Sequence, residues 1–506
     1  MDDATRSAWR RHLGADADLD GLRVELAAGT MAEAFAAIAA ERPDAPALEI
    51  DAVTLTHGEL DARAARVGGF LRERGVAAGD RVLLCAPTSM DLVVAYLGVL
   101  RIGATAMPCD AQLTSAELAH ILADGEPVAA FVAPDARERL EAAGAVATVV
   151  EIGGATSGVD AIAAGPAAPE PDPAPAMLAY TSGTTGVPKG VPLTHGNVLA
   201  STRGVMLAWR WSADDVLVHG LPLSHQHGLS GVHLSLLTGS RAVILGRFDP
   251  AALCDTIAAH RATVLFAVPA MYERLIAWEG IAAADLSSLR LAVSGSAPLP
   301  AALAERVRAR LGAYALERYG STEAGLDVSN AYDGPRRPGR VGWALPGIEM
   351  RIGDGEEILV RGPQVFAGYW NRPEATDEAL TGDGWFRTGD LGRVDPGDGS
   401  LEITGRSKEL IISGGLNVYP REVEAALEDH PAVGQVAVAG VPSDRWGEEV
   451  VAFVVPAGAL DADALIAHCR DRLSAYKCPK RVVALEELPR TRMGKVRRDA
   501  LAGMAD

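Results

Sequence analysis

Cysteine is scarce in this chain, with five residues in 506 (Cys85, Cys109, Cys254, Cys469 and Cys478) and no CxxC pair among them. That excludes a disulfide framework and a cysteine zinc site and leaves buried free thiols as the reading. Aromatic residues make up only 5% of the chain, too few to suggest a large aromatic-lined pocket. Positive charge is in deficit: 47 Lys and Arg stand against 66 Asp and Glu, a formal net charge of −19. Long-range attraction to nucleic acid or to an anionic membrane is therefore not expected, although one local anion site is still allowed. Long apolar runs are also missing. The most apolar stretch, residues 92–108, is broken by Arg101 and two glycines and is too short to span a bilayer. The polar start, with Asp2, Asp3, Arg6, Arg10 and Arg11, lacks a signal-peptide core, so a cytoplasmic location is expected.

Lysine is the scarcest charged residue, present only at Lys189, Lys408, Lys477, Lys480 and Lys495. In a chain that otherwise uses arginine, a lysine points to a need for a compact ammonium on a flexible stem. The bulk numbers, 48% hydrophobic and 22% charged, are those of an ordinary folded protein, and the length suggests about two to four domains at roughly 150 residues each. Residues 30–160 alternate alanine-rich helical periodicity with short apolar runs at 81–86 and 129–133, the pattern of βα units. Residues 165–175 form a proline-rich connector. Buried strands are predicted at 262–268 and 289–294, a smaller β-rich element at 357–360 and 401–404, and a compact end with strands at 436–441 and 449–456 and a helix over 460–473. No internal repeat or coiled-coil heptad is present.

The most informative segment is TSGTTGVPKG, Thr181 to Gly190, which follows an apolar strand at 177–179. Its glycines let backbone amides form an anion nest, its hydroxyls (Thr181, Ser182, Thr184, Thr185) donate to phosphate oxygens, and Lys189 offsets charge. It is not a Walker loop, because Gly190 follows Lys189 where a magnesium-binding hydroxyl would stand. Further motifs follow in order: SGSAP from Ser294, YGSTE from Tyr319, WFRTGD ending at Asp390, GRSK ending at Lys408, IISGGLNVYPREVE from 411, and PRTRMGK ending at Lys495.

Together these motifs resemble the adenylate-forming superfamily of acyl-CoA synthetases, luciferases and adenylation domains, over nearly the whole chain from about residue 30. The resemblance implies an α/β fold. A large N-terminal domain, residues 1–405, would comprise βα subdomains and a small β-rich part. A small mobile α+β C-terminal domain, residues 406–506, would be hinged near Lys408. The implied reaction is ATP-dependent activation of an acid through an enzyme-bound adenylate, with Mg2+ as cofactor and CoA as acceptor, in an enzyme that is a monomer or homodimer.

By the same resemblance, Lys495 bridges the attacking carboxylate and the α-phosphate, Glu323 is the magnesium ligand, and Thr322 contacts phosphate. ATP would lie against Thr181, Ser182, Gly183, Thr184, Thr185 and Lys189, against Ser294, Gly295, Ser296 and Ala297, and against Tyr319, Gly320 and Ser321. Asp390 would accept both ribose hydroxyls with Arg406 assisting. Gly414 and Gly415 would line the acceptor tunnel. Lys477 and Lys480 would either meet an acceptor phosphate or occupy a solvated face.

The segment from His219 to His233 is rich in imidazole, and no carboxylate accompanies it at metal-ligand spacing. His225 matches the substrate-gating position, with His227 and Ser230 close by. LPLSHQHGL together with LGRF is most similar to the malonyl-CoA synthetase branch, which implies that Arg247 pairs with a distal carboxylate. Ser321 stands where that branch carries a bulkier residue. The polar pocket argues against long-chain fatty acids. The same motifs also admit an amine or carrier-thiol acceptor, or nitrite activation for diazotisation of an aryl amine.

Overall fold

The computed structural model describes all residues except 52, 154–158, 160–161, 163–164, 166–173, 182–187, 414–415, 444, 492–493 and 506. The proline-rich connector therefore lies largely outside the described residues, as do Ser182, Gly183, Thr184, Thr185, Gly414 and Gly415.

The predicted βα alternation appears as two mainly parallel sheets. A six-stranded sheet runs in the order Thr148–Glu151, Ala129–Val132, Arg81–Cys85, Thr105–Pro108, Pro175–Thr181 and Lys189–Thr194. Its last pair is an antiparallel hairpin that brackets the glycine-rich loop and sets Thr181 opposite Lys189. A nine-stranded sheet places Leu291–Ser294 and Val264–Ala267 at its centre, where every residue of both strands is buried. Strands covered on both faces need apolar side chains on both sides, which is why they read as unbroken hydrophobic runs. A four-stranded antiparallel sheet, Glu349–Ile352, Glu357–Arg361, Phe386–Val394 and Leu401–Arg406, is the smaller β-rich element.

Helix starts follow local chemistry. Thr30 with Glu33, Thr56 with Glu59, Thr114 with Glu117 and Thr194 with Asn197 each form a reciprocal capping box. The apolar stretch that lacked the length of a membrane span is the core helix Met90–Arg101 and the strand Thr105–Pro108. Among the described residues no helix is long and apolar enough to cross a membrane.

The hydrophobic core changes identity after Leu401. One large cluster runs from Met31 to Leu401, and two smaller ones begin at Ile411 and Ala437. Between them lies the short turn Ser407–Glu409, with Lys408 exposed on it. The C-terminal part wraps the helices Pro420–Glu428 and Ala462–Arg470 around a sheet built on the long hairpin Val433–Ser443 and Gly447–Pro456.

Candidate active site

A cavity of about 560 Å³ opens where the two mainly parallel sheets meet the C-terminal part. Thr181, His225, His227, Ser230, Ser296, Gly320, Ser321, Thr322 and Lys495 all line it, so residues up to 314 positions apart in sequence converge on one space. Lys495 is the contribution of the C-terminal part, and Thr491 stands beside it. Burial, reinforced by the nearby Arg406 charge, pushes the Lys495 ammonium down to about 8.

Asp390 and Arg406 face each other across neighbouring antiparallel strands, with Arg406 Nε 2.9 Å from Asp390 Oδ1. The Tyr319 hydroxyl donates to Asp390 Oδ2 at 2.7 Å. The Asp390 carboxylate is thus fixed by a cation on one oxygen and a phenol on the other. Glu323 Oε1 accepts from the Tyr369 hydroxyl at 3.0 Å, and Lys189 Nζ lies 4.7 Å from the centre of the same ring. Tyr369 therefore couples the glycine-loop lysine to the acidic residue of YGSTE. Among the described residues no group of three metal-binding side chains exists. A single oriented carboxylate beside a phosphate loop suits Mg2+, which takes one or two carboxylates and draws its other ligands from phosphate and water.

The histidines separate by environment. His219, His227 and His233 are buried, and burial lowers the basicity of each, so they are neutral at pH 7. His219 Nδ1 accepts the Leu221 amide, His233 pairs with the Tyr96 hydroxyl at 2.9 Å, and His227 Nδ1 pairs with Ser296 Oγ at 3.1 Å. Each ring is held by its own partner, which argues against the metal reading of this segment. His225 is half-buried at the cavity wall and opens the helix Gln226–Thr238, and Gln226 Nε2 donates to the Thr322 carbonyl at 3.2 Å.

The structure does not bring Arg247 into the cavity. It is exposed in the loop after Arg241–Ile244, because the chain leaves the sheet there toward solvent. The arginine that does line the cavity is Arg318, which the motif reading passed over. It lies on the strand Leu316–Ser321, where period-two alternation puts it on the same face as the cavity-lining Gly320. Arg318 is buried, and its Nε and Nη2 atoms have no hydrogen-bond partner among the described residues. Burial lowers its pKa to about 10, so it stays charged at neutral pH. A Cβ on Gly295 would lie 2.3 Å from Arg318 Nε, so the SGSAP loop needs glycine at that position to cover the guanidinium. The signal available in the sequence was the charged pair Glu317 and Arg318 inside a short strand, immediately before YGSTE. Tyr369 had no comparable signal.

The model of the AMP-binding enzyme family matches residues 35–370, and that of the AMP-binding enzyme C-terminal domain matches 422–495. A feruloyl-CoA synthase from an Amycolatopsis species is 38% identical over 475 residues, covering 90% of this chain and 94% of the relative. A sulfoacetate–CoA ligase from Cupriavidus necator is 37% identical over 496 residues, covering 93% and 96%. The ATP-bound structure of MatB from Rhodopseudomonas palustris superposes with a TM-score of 0.89 at 38% identity, covering 94% of this chain and 98% of that one. The chain belongs to the AMP-binding enzyme family, the adenylate-forming superfamily, among its AMP-forming acyl-CoA synthetases.

Proposed function

We propose that this enzyme adenylates a small acid bearing a second anionic group, with malonate as the type substrate, and transfers the acyl group to CoA. The observation that carries the substrate reading is Arg318. A charged guanidinium that is buried with two nitrogens unpartnered is costly, and an incoming carboxylate or sulfonate would offset that cost through paired charge-assisted hydrogen bonds. Ser230 and neutral His227 flank it with polar atoms suited to a compact anion. The sulfoacetate specificity of one relative fits such a pocket, whereas the feruloyl specificity of another calls for a longer apolar one.

In the adenylation step the substrate carboxylate attacks the α-phosphate in line, and pyrophosphate leaves. Catalysis is then mainly positioning and charge stabilisation. Lys495 reaches both reacting groups. Thr181, Ser182, Gly183, Thr184, Thr185 and Lys189 cradle the β- and γ-phosphates, with Thr322 beside them. Asp390, oriented by Tyr319 and Arg406, accepts the ribose hydroxyls. Ser294, Gly295, Ser296, Ala297, Gly320 and Ser321 border the adenine, and His225 gates the carboxylate. Glu323 would hold Mg2+, which neutralises phosphate charge when bound. Turning about Lys408 then replaces Lys495 with the face carrying Gly414 and Gly415, and CoA thiolate displaces AMP. On that domain Trp446 is flanked by Arg445 and Lys480, a group suited to a nucleotide with phosphates. Lys477 is instead paired with Glu422 at 2.5 Å.

The test is pyrophosphate release with ATP and Mg2+ over malonate, methylmalonate, sulfoacetate, ferulate, butyrate and nitrite, each with and without CoA. Turnover of a dianionic acid with thioester formed on adding CoA is the expected result. Preference for ferulate would overturn the substrate reading. Nitrite turnover, or product only with an amine, would overturn the CoA step.

A further inference from the structure

A chain of hydrogen bonds runs from the N-terminal body to the loop that carries Lys495. It starts at Glu273 on the helix Pro269–Ala277, whose two carboxylate oxygens accept from Gln435 Nε2 at 3.3 and 3.4 Å. Gln435 sits on the strand Val433–Ser443 of the C-terminal domain, and its Oε1 accepts from Arg490 Nη2 at 3.1 Å. Arg490 Nη1 in turn donates to the carbonyl of Gly494, the residue before Lys495, at 2.6 Å. The loop is closed on itself: the Thr491 amide donates to the Lys495 carbonyl at 2.7 Å, and the Gly494 amide donates to the Thr491 carbonyl at 2.8 Å.

The loop also touches the Glu273 helix directly. Gly494 has φ +77°, and a Cβ there would lie 3.2 Å from Ala270 Cβ. One N-terminal helix therefore meets the Lys495 loop twice, by contact at Ala270 and by the relay from Glu273. The amide of Gln435 suits the middle position. It gives a donor to an acceptor-only carboxylate and an acceptor to a donor-only guanidinium at the same time. The Arg490 links lie inside the C-terminal domain and travel with it. The Gln435 to Glu273 bond is the link that must break when the domain turns.

We propose that Glu273, Gln435 and Arg490 form a docking latch, positioning residues that hold Lys495 over the cavity for adenylation and release it for the acceptor step. This inference rests on the two-step reading above. Because none of the three touches the cavity, the latch acts only through the placement of Lys495.

Gln435→Glu keeps the pairing with Arg490 but sets a like charge against Glu273. The double variant Glu273→Gln with Gln435→Glu restores a donor opposite an acceptor at the crossing. The adenylation half-reaction of Gln435→Glu should fall about tenfold, thioester formation from supplied acyl-adenylate and CoA should stay within about twofold, and the double variant should recover most of the loss. Equal losses in both half-reactions, no loss in either, or no recovery in the double variant would overturn the latch. A second readout needs no acid. With MgATP bound, amide hydrogen exchange over residues 269–277 and 490–496 should quicken together in Gln435→Glu and slow again in the double variant. Unchanged exchange would overturn the proposal. An enzyme inactive on every acid tested, yet showing this exchange pattern, would overturn the substrate reading and leave the latch standing.

Discussion

The N-terminal body and the C-terminal domain handle positive charge in different ways. The first 405 residues contain one lysine, Lys189, and the remaining 101 contain four. The body fixes its cations: Arg318 is buried beneath the SGSAP loop, and Arg290 is locked on Asp215 by two bonds of 2.7 Å. A planar guanidinium set in a rigid sheet recognises an anion of fixed shape, whereas an ammonium on a flexible stem can be carried into and out of a site. Under the proposed function the body would supply recognition and the small domain the catalytic charge.

The sharpest break of that comparison is Lys495→Ala. Acid-dependent pyrophosphate release should drop about a thousandfold while the apparent KM for ATP moves less than about threefold, since one preorganised donor is lost and the nucleotide contacts remain. Pyrophosphate release at the wild-type rate would reject the role. Next comes Arg318→Met, which should cost about a hundredfold in kcat/KM for dianionic acids and little for butyrate, with Arg247→Met near wild type on both. Equal losses on both acid classes would return Arg318 to a structural role.

Tyr369→Phe removes the hydroxyl that orients Glu323, so the Mg2+ concentration giving half-maximal adenylation should rise about fivefold. A pH profile tests Lys495 in the free enzyme. The charged ammonium is the working form and its pKa is lowered to about 8, so kcat/KM for adenylation should fall as pH rises through about 8. Arg406→Gln removes a nearby positive charge and should shift that fall to higher pH.

The smallest effect concerns stability. Asp327 is fully buried, and both its oxygens lack partners among the described residues. Burial, then the charges of Asp390 and Glu323, raise its pKa well above the usual carboxylate value. The native state therefore keeps a proton that the unfolded chain gives up above about pH 4, and stability is lost as pH rises beyond that point. Asp327→Asn should raise the thermal midpoint by about 3 °C at pH 8 and by less at pH 4.

Much of this molecule was legible in its sequence wherever the chemistry is local. Buried runs such as Val264–Ala267 depend on residues a few positions apart, so pattern alone located them. Lys189, Glu323, Asp390 and Lys495 are legible as candidates because each sits in a short motif that resembles the family's. The helix predicted over 460–473 is shorter in the structure, Ala462–Arg470, because Asp461 caps its start. Only the tertiary structure separated Arg247, in an exposed loop, from Arg318, in the cavity wall. Whether a side chain faces a cavity or solvent depends on where its strand lies in the sheet, and a loop residue beside the right neighbours in sequence can still point outward. The relay from Glu273 through Gln435 to Arg490 was equally invisible, because its residues lie up to 217 positions apart and meet only when one domain docks on the other.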